Sequence, residues 1–175
     1  MEEKDKDTSE IIVSISNNED VTRTIHPEWM VRGQLQLSAF ALQPGETYIS
    51  VNRPIIPTYN DDIKDFILSH PSFIVEGGHY HLARMNVGKI RAIEITIGSS
   101  TLVADVDVEA RAMHTESHAG IFTRFEGKNI KTGQIIKVEK QEKGVSSDDV
   151  LMDLRFSLLS MATMETQTTT KPEKK

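Results

Sequence analysis

A regular two-residue alternation between apolar and polar side chains runs from position 102 to position 109. The apolar face carries Leu102, Ala104, Val106 and Val108, and the other face carries Val103 and three acids, Asp105, Asp107 and Glu109. Successive side chains of a strand point to opposite faces, so this segment predicts a β-strand with one buried face. Such a strand needs neighbouring strands and a second layer to cover it. The acidic face is expected to be solvated, although paired carboxylates could also bind a cation or transfer protons.

Several shorter segments have the same strand character. We predict strands at 11–15, 35–39, 48–51, 92–97, 121–125 and 135–138, with turns at 127–129 and 131–133. The Pro44-Gly45 turn should join the second and third of these strands into a hairpin. Whether 77–91 forms a strand, a loop or a helix remains open, because its apolar residues mix two periods.

Two helices are predicted among these strands. The first begins at Asn60, which can cap it, has Ile63, Phe66 and Ile67 on one face, and ends at His70-Pro71. The second covers about 148–162 with an apolar face of Val150, Leu154, Leu158 and Met161, after a capping-box pattern at Ser146 and Asp149. The fold class is therefore predicted to be α+β: a mostly antiparallel curved sheet with a C-terminal helix packed on it and one short crossover helix.

Composition predicts one domain. With 175 residues and 38% hydrophobic residues, the chain can build one core. We expect a single α+β domain over 9–162, with disordered tails at 1–8 and 163–175, where the sequence is charged or threonine-rich. Cysteine is absent, which excludes disulfides, thiolate zinc sites and cysteine nucleophiles.

Charge and hydropathy limit the partners that we expect. The formal net charge is −6, which disfavours nucleic acid because phosphate binding depends on basic residues. The first ten residues are charged and no apolar run reaches the roughly 18 residues of a membrane span. We therefore expect a cytoplasmic protein without membrane or nucleic-acid binding, without a cofactor, and with a protein as its partner.

The histidines are the main candidates for chemistry. His79 and His81 would lie on one face of a strand, and His114 and His118 would lie on one face of a helix. Together the two pairs could supply four nitrogen ligands to a metal. Spacing alone is weak evidence for such a site, since metal ligands also need supporting carboxylates, and we assign no metal ligand. The single tryptophan, Trp29, is predicted to be a packing anchor.

A set of short segments resembles, in order and spacing, small bacterial proteins of uncharacterised function. These segments are His26-Pro27-Glu28-Trp29, Gly33, Ser38-Ala39-Phe40, Ile49-Ser50-Val51, Ala83-Arg84 with 87–92, and His118-Ala119-Gly120-Ile121. The resemblance spans about 25–122 and implies a shared fold and a site joining His26, Ser38 and His118. The chain departs from the pattern at Ala41, where a basic residue is usual, and at 113–117, where a proline-rich segment is usual. Both departures weaken a phosphate-binding role for that region.

Three functions remain open from the sequence. The first is an interaction or regulatory module, favoured by the acidic charge and by the missing catalytic motifs. The second is a small enzyme of the hydrolase or nucleotidyl/ADP-ribosyl transfer type, with His26, Ser38 and His118 as catalytic residues and Arg84 as an anion-binding residue. The third is a histidine metal-binding protein. The enzyme hypothesis requires the four side chains to converge in one pocket.

Overall fold

The computed structural model describes residues 14–43, 46–95, 102–112, 114–129, 135–137 and 147–169. It has the predicted α+β architecture, built around an open sheet in which every strand pair is antiparallel. The strands are β1 (Asp20–Ile25), β2 (Met30–Val31), β3 (Gln34–Leu35), β4 (Ile49–Asn52), β5 (His79–Asn86), β6 (Leu102–Ala110), β7 (His118–Asn129), β8 (Ile135–Lys137) and β9 (Thr163–Thr168). The helices are α1 (Tyr59–Ser69), α2 (Val87–Arg91) and α3 (Ser147–Met161), with short 3-10 helices at Pro27–Trp29, Leu37–Phe40 and Pro71–Phe73.

The strand order explains the role of α1. The main sheet runs β6-β7-β4-β1-β5-β9, and β8 pairs with the last part of β7. Because β4 and β5 both pair antiparallel with β1, they run parallel to each other on its two sides. The chain therefore has to cross over β1 between them, and α1 lies in that connection. The predicted crossover helix is confirmed.

The main core lies between the sheet and α3. Val150, Leu154 and Leu158 are buried in one cluster with sheet residues such as Val51 and Ile121. The predicted C-terminal helix and its apolar face are thus confirmed, while its capping pair lies largely outside the described side chains. On the opposite face of the sheet, α1 buries Tyr59, Ile63 and Ile67 in a smaller cluster. The sheet therefore has a helix on each face.

The predicted hairpin between 35–39 and 48–51 is wrong. Leu37–Phe40 forms a 3-10 helix that buries Ala39 and Phe40, and β4 pairs with β1 and β7. The real hairpin is β2–β3, joined at Arg32 and Gly33, which both have positive φ angles (51° and 77°). Two central residues with positive φ are the mark of a type I′ turn, which joins two short strands without splaying them. The alternating apolar residues of 35–39 are thus divided between β3, which contains Leu35, and the 3-10 helix, which contains Leu37 and Ala39.

Other local predictions also need correction. The strand expected at 92–97 is preceded by α2, which the Asn86 side chain caps by accepting a hydrogen bond from the Lys89 N–H (3.2 Å); residues 92–95 are irregular. The turn expected at 127–129 lies within β7. Helix α1 begins one residue earlier than predicted, with Thr58 rather than Asn60 at its N-cap. The segment that remained open, 77–91, contains β5 followed by α2.

The predicted disordered tail at 163–175 is wrong at its beginning. Thr163–Thr168 forms strand β9, which pairs with β5 over six residues without interruption. Threonine is β-branched and favours strands, and Arg84 of β5 binds Glu165 of β9 through two hydrogen bonds. Positions 1–8 and 170–175 and most of the 11–15 segment lie outside the described residues. In the part of the chain that the structure describes, no helix has the length and hydropathy of a membrane span.

Candidate functional site: a pocket between the sheet and helix α1

A pocket of about 460 Å³ lies between α1 and the sheet face that α1 covers. The sheet contributes Thr24, Ser50, Asn52 and His118, α1 contributes Asp62, Phe66 and His70, and the segment before β7 contributes His114 and Thr115; Arg23, Trp29, Gln43, Glu46 and Phe73 complete the lining. The pocket thus collects residues from three neighbouring strands and the crossover helix. A concave site with a few convergent polar groups is where ligands usually bind.

Arg23 is the unusual residue of this pocket. It lies on β1 between two fully buried apolar residues, Val21 and Ile25, and is itself only 6% exposed. Its Nε donates a hydrogen bond to the Ala39 carbonyl (2.6 Å), and its Nη1 donates to the Ser50 carbonyl (2.8 Å). The guanidinium carbon lies 5.2 Å from the centre of the Trp29 ring. Both acceptors of these hydrogen bonds are neutral carbonyls, which orient the guanidinium but do not neutralise it.

The charge of Arg23 is poorly compensated. No ion pair within 4 Å joins Arg23 to a carboxylate among the described residues. Burial lowers the pKa of Arg23 from its ordinary value to about 10, and the charge of Glu46 acts in the opposite direction. Glu46 is exposed and accepts a hydrogen bond from the Gln43 N–H (2.8 Å). Because a buried charge is costly unless an opposite charge is near, an anion bound beside Arg23 would stabilise its guanidinium.

A phenol and two imidazoles form a second polar group at one end. Tyr48 Oη lies 3.3 Å from His114 Nε2 and 3.5 Å from His118 Nε2, and the two imidazole centres are 5.0 Å apart. These residues line an adjoining cleft of about 380 Å³. Burial, followed by the charges of His114 and Arg111, lowers the pKa of His118 to about 4. His118 is therefore a neutral imidazole at pH 7, able to accept or donate one hydrogen bond.

Aromatic rings form the opposite end. Phe73 contacts the rings of His26, Trp29 and Phe66 edge to face, with centroids 4.9, 6.1 and 5.0 Å apart. His70 stacks on Phe66 at 4.4 Å. These rings hold one another in place, so the pocket has a fixed apolar wall next to its buried cation.

Asp62 ties the wall of α1 to the segment before β7. Its Oδ2 accepts hydrogen bonds from the Ser117 N–H (3.1 Å) and the Thr58 hydroxyl (3.0 Å). Burial acts to raise the pKa of Asp62, but hydrogen bonds from Ser117, Thr58 and Thr115 outweigh it, and the net pKa is lowered. Asp62 therefore stays ionised and accepts its hydrogen bonds from protein donors, so its role is to hold α1 against the segment before β7.

The residues predicted for catalysis do not all meet here. His118 lines the pocket. His26 lies behind the aromatic wall, where its Nδ1 accepts a hydrogen bond from the Glu28 N–H (3.3 Å) and caps the 3-10 helix. Its extended backbone before Pro27 agrees with the prediction. Ser38 is exposed on the 3-10 helix at Leu37–Phe40 and is not among the lining residues.

Arg84, predicted to bind an anion, lies elsewhere. It binds Glu165 on β9, approaches Asp20 at 3.7 Å, and lines a separate cleft with Glu19 and Asp20. Hydrogen bonding to Glu165 is the main cause of a raised Arg84 pKa. Carboxylates already surround this guanidinium, so an added anion would be repelled.

The two predicted histidine pairs also separate. His79 and His81 contact the hydroxyls of Thr168 and Thr166 on β9, whereas the other pair contacts Tyr48. Within the described residues no three histidine, aspartate or glutamate side chains are grouped closely enough to hold a metal ion. Of the acidic face predicted on β6, Asp107 binds Arg91 (2.6 Å) and Glu109 is 3% exposed beside Arg111. The expectation of a solvated acidic face is therefore wrong at Glu109.

The sequence did not indicate that Arg23 and His114 line one pocket, or that Tyr48 lines the adjoining cleft. Comparisons with protein-family models, with curated proteins and with solved structures find no match to this chain. One sequence feature could have identified Arg23: Val21, Arg23 and Ile25 share a strand face, so an arginine stands at a core position between two aliphatic residues. The site therefore has to be interpreted from its own geometry.

Proposed function

We propose that this protein is a small ligand-binding module of the regulatory kind, and that its ligand is a small organic anion. The observation that carries the proposal is Arg23, a buried residue that lines the pocket, donates hydrogen bonds to two carbonyls, and has no carboxylate within 4 Å among the described residues. A carboxylate or phosphate in that pocket would supply the missing charge through a paired, charge-assisted hydrogen bond.

The walls of the pocket support an organic rather than an inorganic anion. The aromatic wall at Phe66 and Phe73 suits an apolar or planar group. The adjoining cleft offers the Tyr48 hydroxyl and the neutral His118 imidazole as hydrogen-bonding groups. A ligand with an acidic group and a flat ring would use all three parts. As part of the same proposal, we infer a cytoplasmic location. The chain contains no cysteine and therefore does not depend on the oxidising environment that disulfides require.

A thermal-shift screen tests this proposal. The panel consists of inorganic phosphate, benzoate, AMP, NAD and divalent metals, each in a separate well. A ligand that binds only the folded state raises its stability by about 2.7 kcal/mol at a hundredfold excess over Kd. We expect benzoate or a nucleotide to raise Tm of the wild type and of Lys64→Gln, which removes an exposed charge on α1. The same compound should leave Arg23→Gln unshifted. An equal shift in Arg23→Gln would refute Arg23 as the anion-binding group.

Turnover of the bound anion is a second candidate function. It is supported by the position of Tyr48 Oη between His114 and His118, because a neutral imidazole can take a proton from water that attacks an ester. A hydrolase of this kind would use His118 but not Ser38. The test is release of phosphate from an aryl phosphate, or of AMP and nicotinamide mononucleotide from NAD, by the wild type, with Tyr48→Phe and His118→Asn as variants. If the anion binds but no product is released, the hydrolase is refuted and the ligand-binding module is retained.

A further inference from the structure

The two edges of the main sheet differ in how they are protected. At the β6 edge, the register shifts between Ala104 and Asp105, and Ser14 bridges to Glu109. A bulge and a covering segment are two of the means by which proteins prevent strand addition at an edge. Strand β9 forms the other edge, and within the described part of the chain it has neither feature. It pairs with β5 in a regular register from Thr163 to Thr168.

The sequence of β9 lacks the residues that usually protect an edge. It contains no proline and no lysine, both of which discourage strand addition. Its one charged residue, Glu165, is bound by Arg84, which lowers the pKa of this carboxyl. Thr163, Thr166, Gln167 and Thr168 are exposed. The outer hydrogen-bonding groups of β9 therefore lie along a regular, neutral and β-favouring strand.

We infer that β9 pairs antiparallel with β9 of a second copy of this chain, forming a two-fold dimer with one continuous sheet. Self-pairing is favoured because a threonine-rich strand meets threonines again, and cross-strand threonine pairs are stabilising. Neutralisation of Glu165 within each copy removes the like-charge repulsion that two acidic strands would otherwise have. A two-fold contact also closes on itself, so no further copy is added.

A peptide of another protein fits this edge less well. Strand addition by a foreign peptide takes its specificity from pockets beside the edge that hold alternate side chains. The exposed side chains of β9 are short and polar, and three of the four are threonines. Such side chains suit pairing with an identical strand better than the capture of large anchoring side chains.

The absence of cysteine allows a direct test on the full chain. Single variants Thr163→Cys, Thr166→Cys and Thr168→Cys each carry one nitroxide label, and pulsed electron resonance measures the distance between the two copies. Across an antiparallel two-fold axis, this distance should change by roughly 6–7 Å for each residue moved along the strand, which is twice the rise of one residue. We expect this dependence on position together with a mass in sedimentation of twice 19.6 kDa.

Two outcomes would overturn the dimer. One is a monomeric mass at the concentration of the resonance experiment. The other is a dimeric mass with label distances that do not vary along β9, which would place the contact elsewhere. As a variant, Gln167→Lys should abolish the dimer by placing a charge on the edge. The matched change Gln34→Lys, on the separate β2–β3 hairpin, should leave the dimer intact. A dimer that persists in Gln167→Lys and is lost in Gln34→Lys would also refute the assignment.

Discussion

Replacing Arg23 by methionine distinguishes a structural anchor from a ligand-binding group. Burial of the guanidinium lowers its pKa from the ordinary value of arginine to about 10. Since the folded state disfavours the charged form, the charge at pH 7 destabilises the fold by about 3 kcal/mol. Methionine removes this penalty and fills a similar volume. It also removes the hydrogen bonds to the carbonyls of Ala39 and Ser50, each worth roughly 1.5 kcal/mol or more because the donor is charged.

These opposing terms nearly cancel. We expect the free energy of unfolding of Arg23→Met, measured with urea at pH 7 and without ligand, to lie within about 2 kcal/mol of the wild type. Anion binding should be lost in the same variant, as judged by the absence of a Tm increase with the ligand that shifts the wild type. A loss of more than about 4 kcal/mol would refute the reasoning, since it would show that the guanidinium is needed mainly to hold the fold.

Three further predictions concern the walls of the pocket and the core. His118 has its pKa lowered from 6.5 to about 4, so only the unfolded chain takes up a proton between these values. Stability should fall as pH decreases through this window, by about 1–2 kcal/mol after allowance for partial exposure, and urea unfolding of His118→Asn should show a smaller fall. In Gly120→Ala, the new Cβ would lie 2.5 Å from Tyr48 Cδ2. We expect the free energy of unfolding, measured with urea, to fall by about 1–3 kcal/mol, and anion binding in the thermal-shift assay to weaken. A variant with unchanged stability would contradict the close contact. Leu158→Ala, at a fully buried position of α3, should lose about 2–5 kcal/mol in the same unfolding assay, whereas Met152→Ala on the exposed side of α3 should lose less than about 0.5 kcal/mol.

The parts of the fold with long, regular periodicity could be predicted from the sequence. Strand β6 and helix α3 each repeat their apolar residues over several turns or pairs, so one buried face is specified without knowledge of the neighbours. The fold class followed from such elements. The tight β2–β3 hairpin could not be predicted in this way, because Arg32 adopts a positive φ that its residue type disfavours. Strand β9 could not be predicted from composition, because a threonine-rich, charged segment at a chain end is typical of disorder. The ion pair between Arg84 and Glu165, which supports its pairing with β5, is visible only in the structure.

The candidate site was predictable only in part. The sequence predicts His118 as a site residue and pairs it with His114 on a helix, whereas in the structure His114 lies before β7 and His118 is the first residue of β7. Tyr48 joins them from the position directly before β4, through a strand pairing that no sequence period reveals. The importance of Arg23 depends on what lies around it, and sequence spacing does not contain that information.

The fluorescence of Trp29 tests the central claim most directly. Trp29 is the single tryptophan of the chain, it lines the pocket, and its ring lies 5.2 Å from the Arg23 guanidinium. Titration with benzoate and with AMP should produce a saturable change in its emission in the wild type and in Lys64→Gln, and no saturable change in Arg23→Met. Saturation with the same affinity in Arg23→Met, or unchanged emission of the wild type with both anions, would contradict an anion-binding pocket at Arg23.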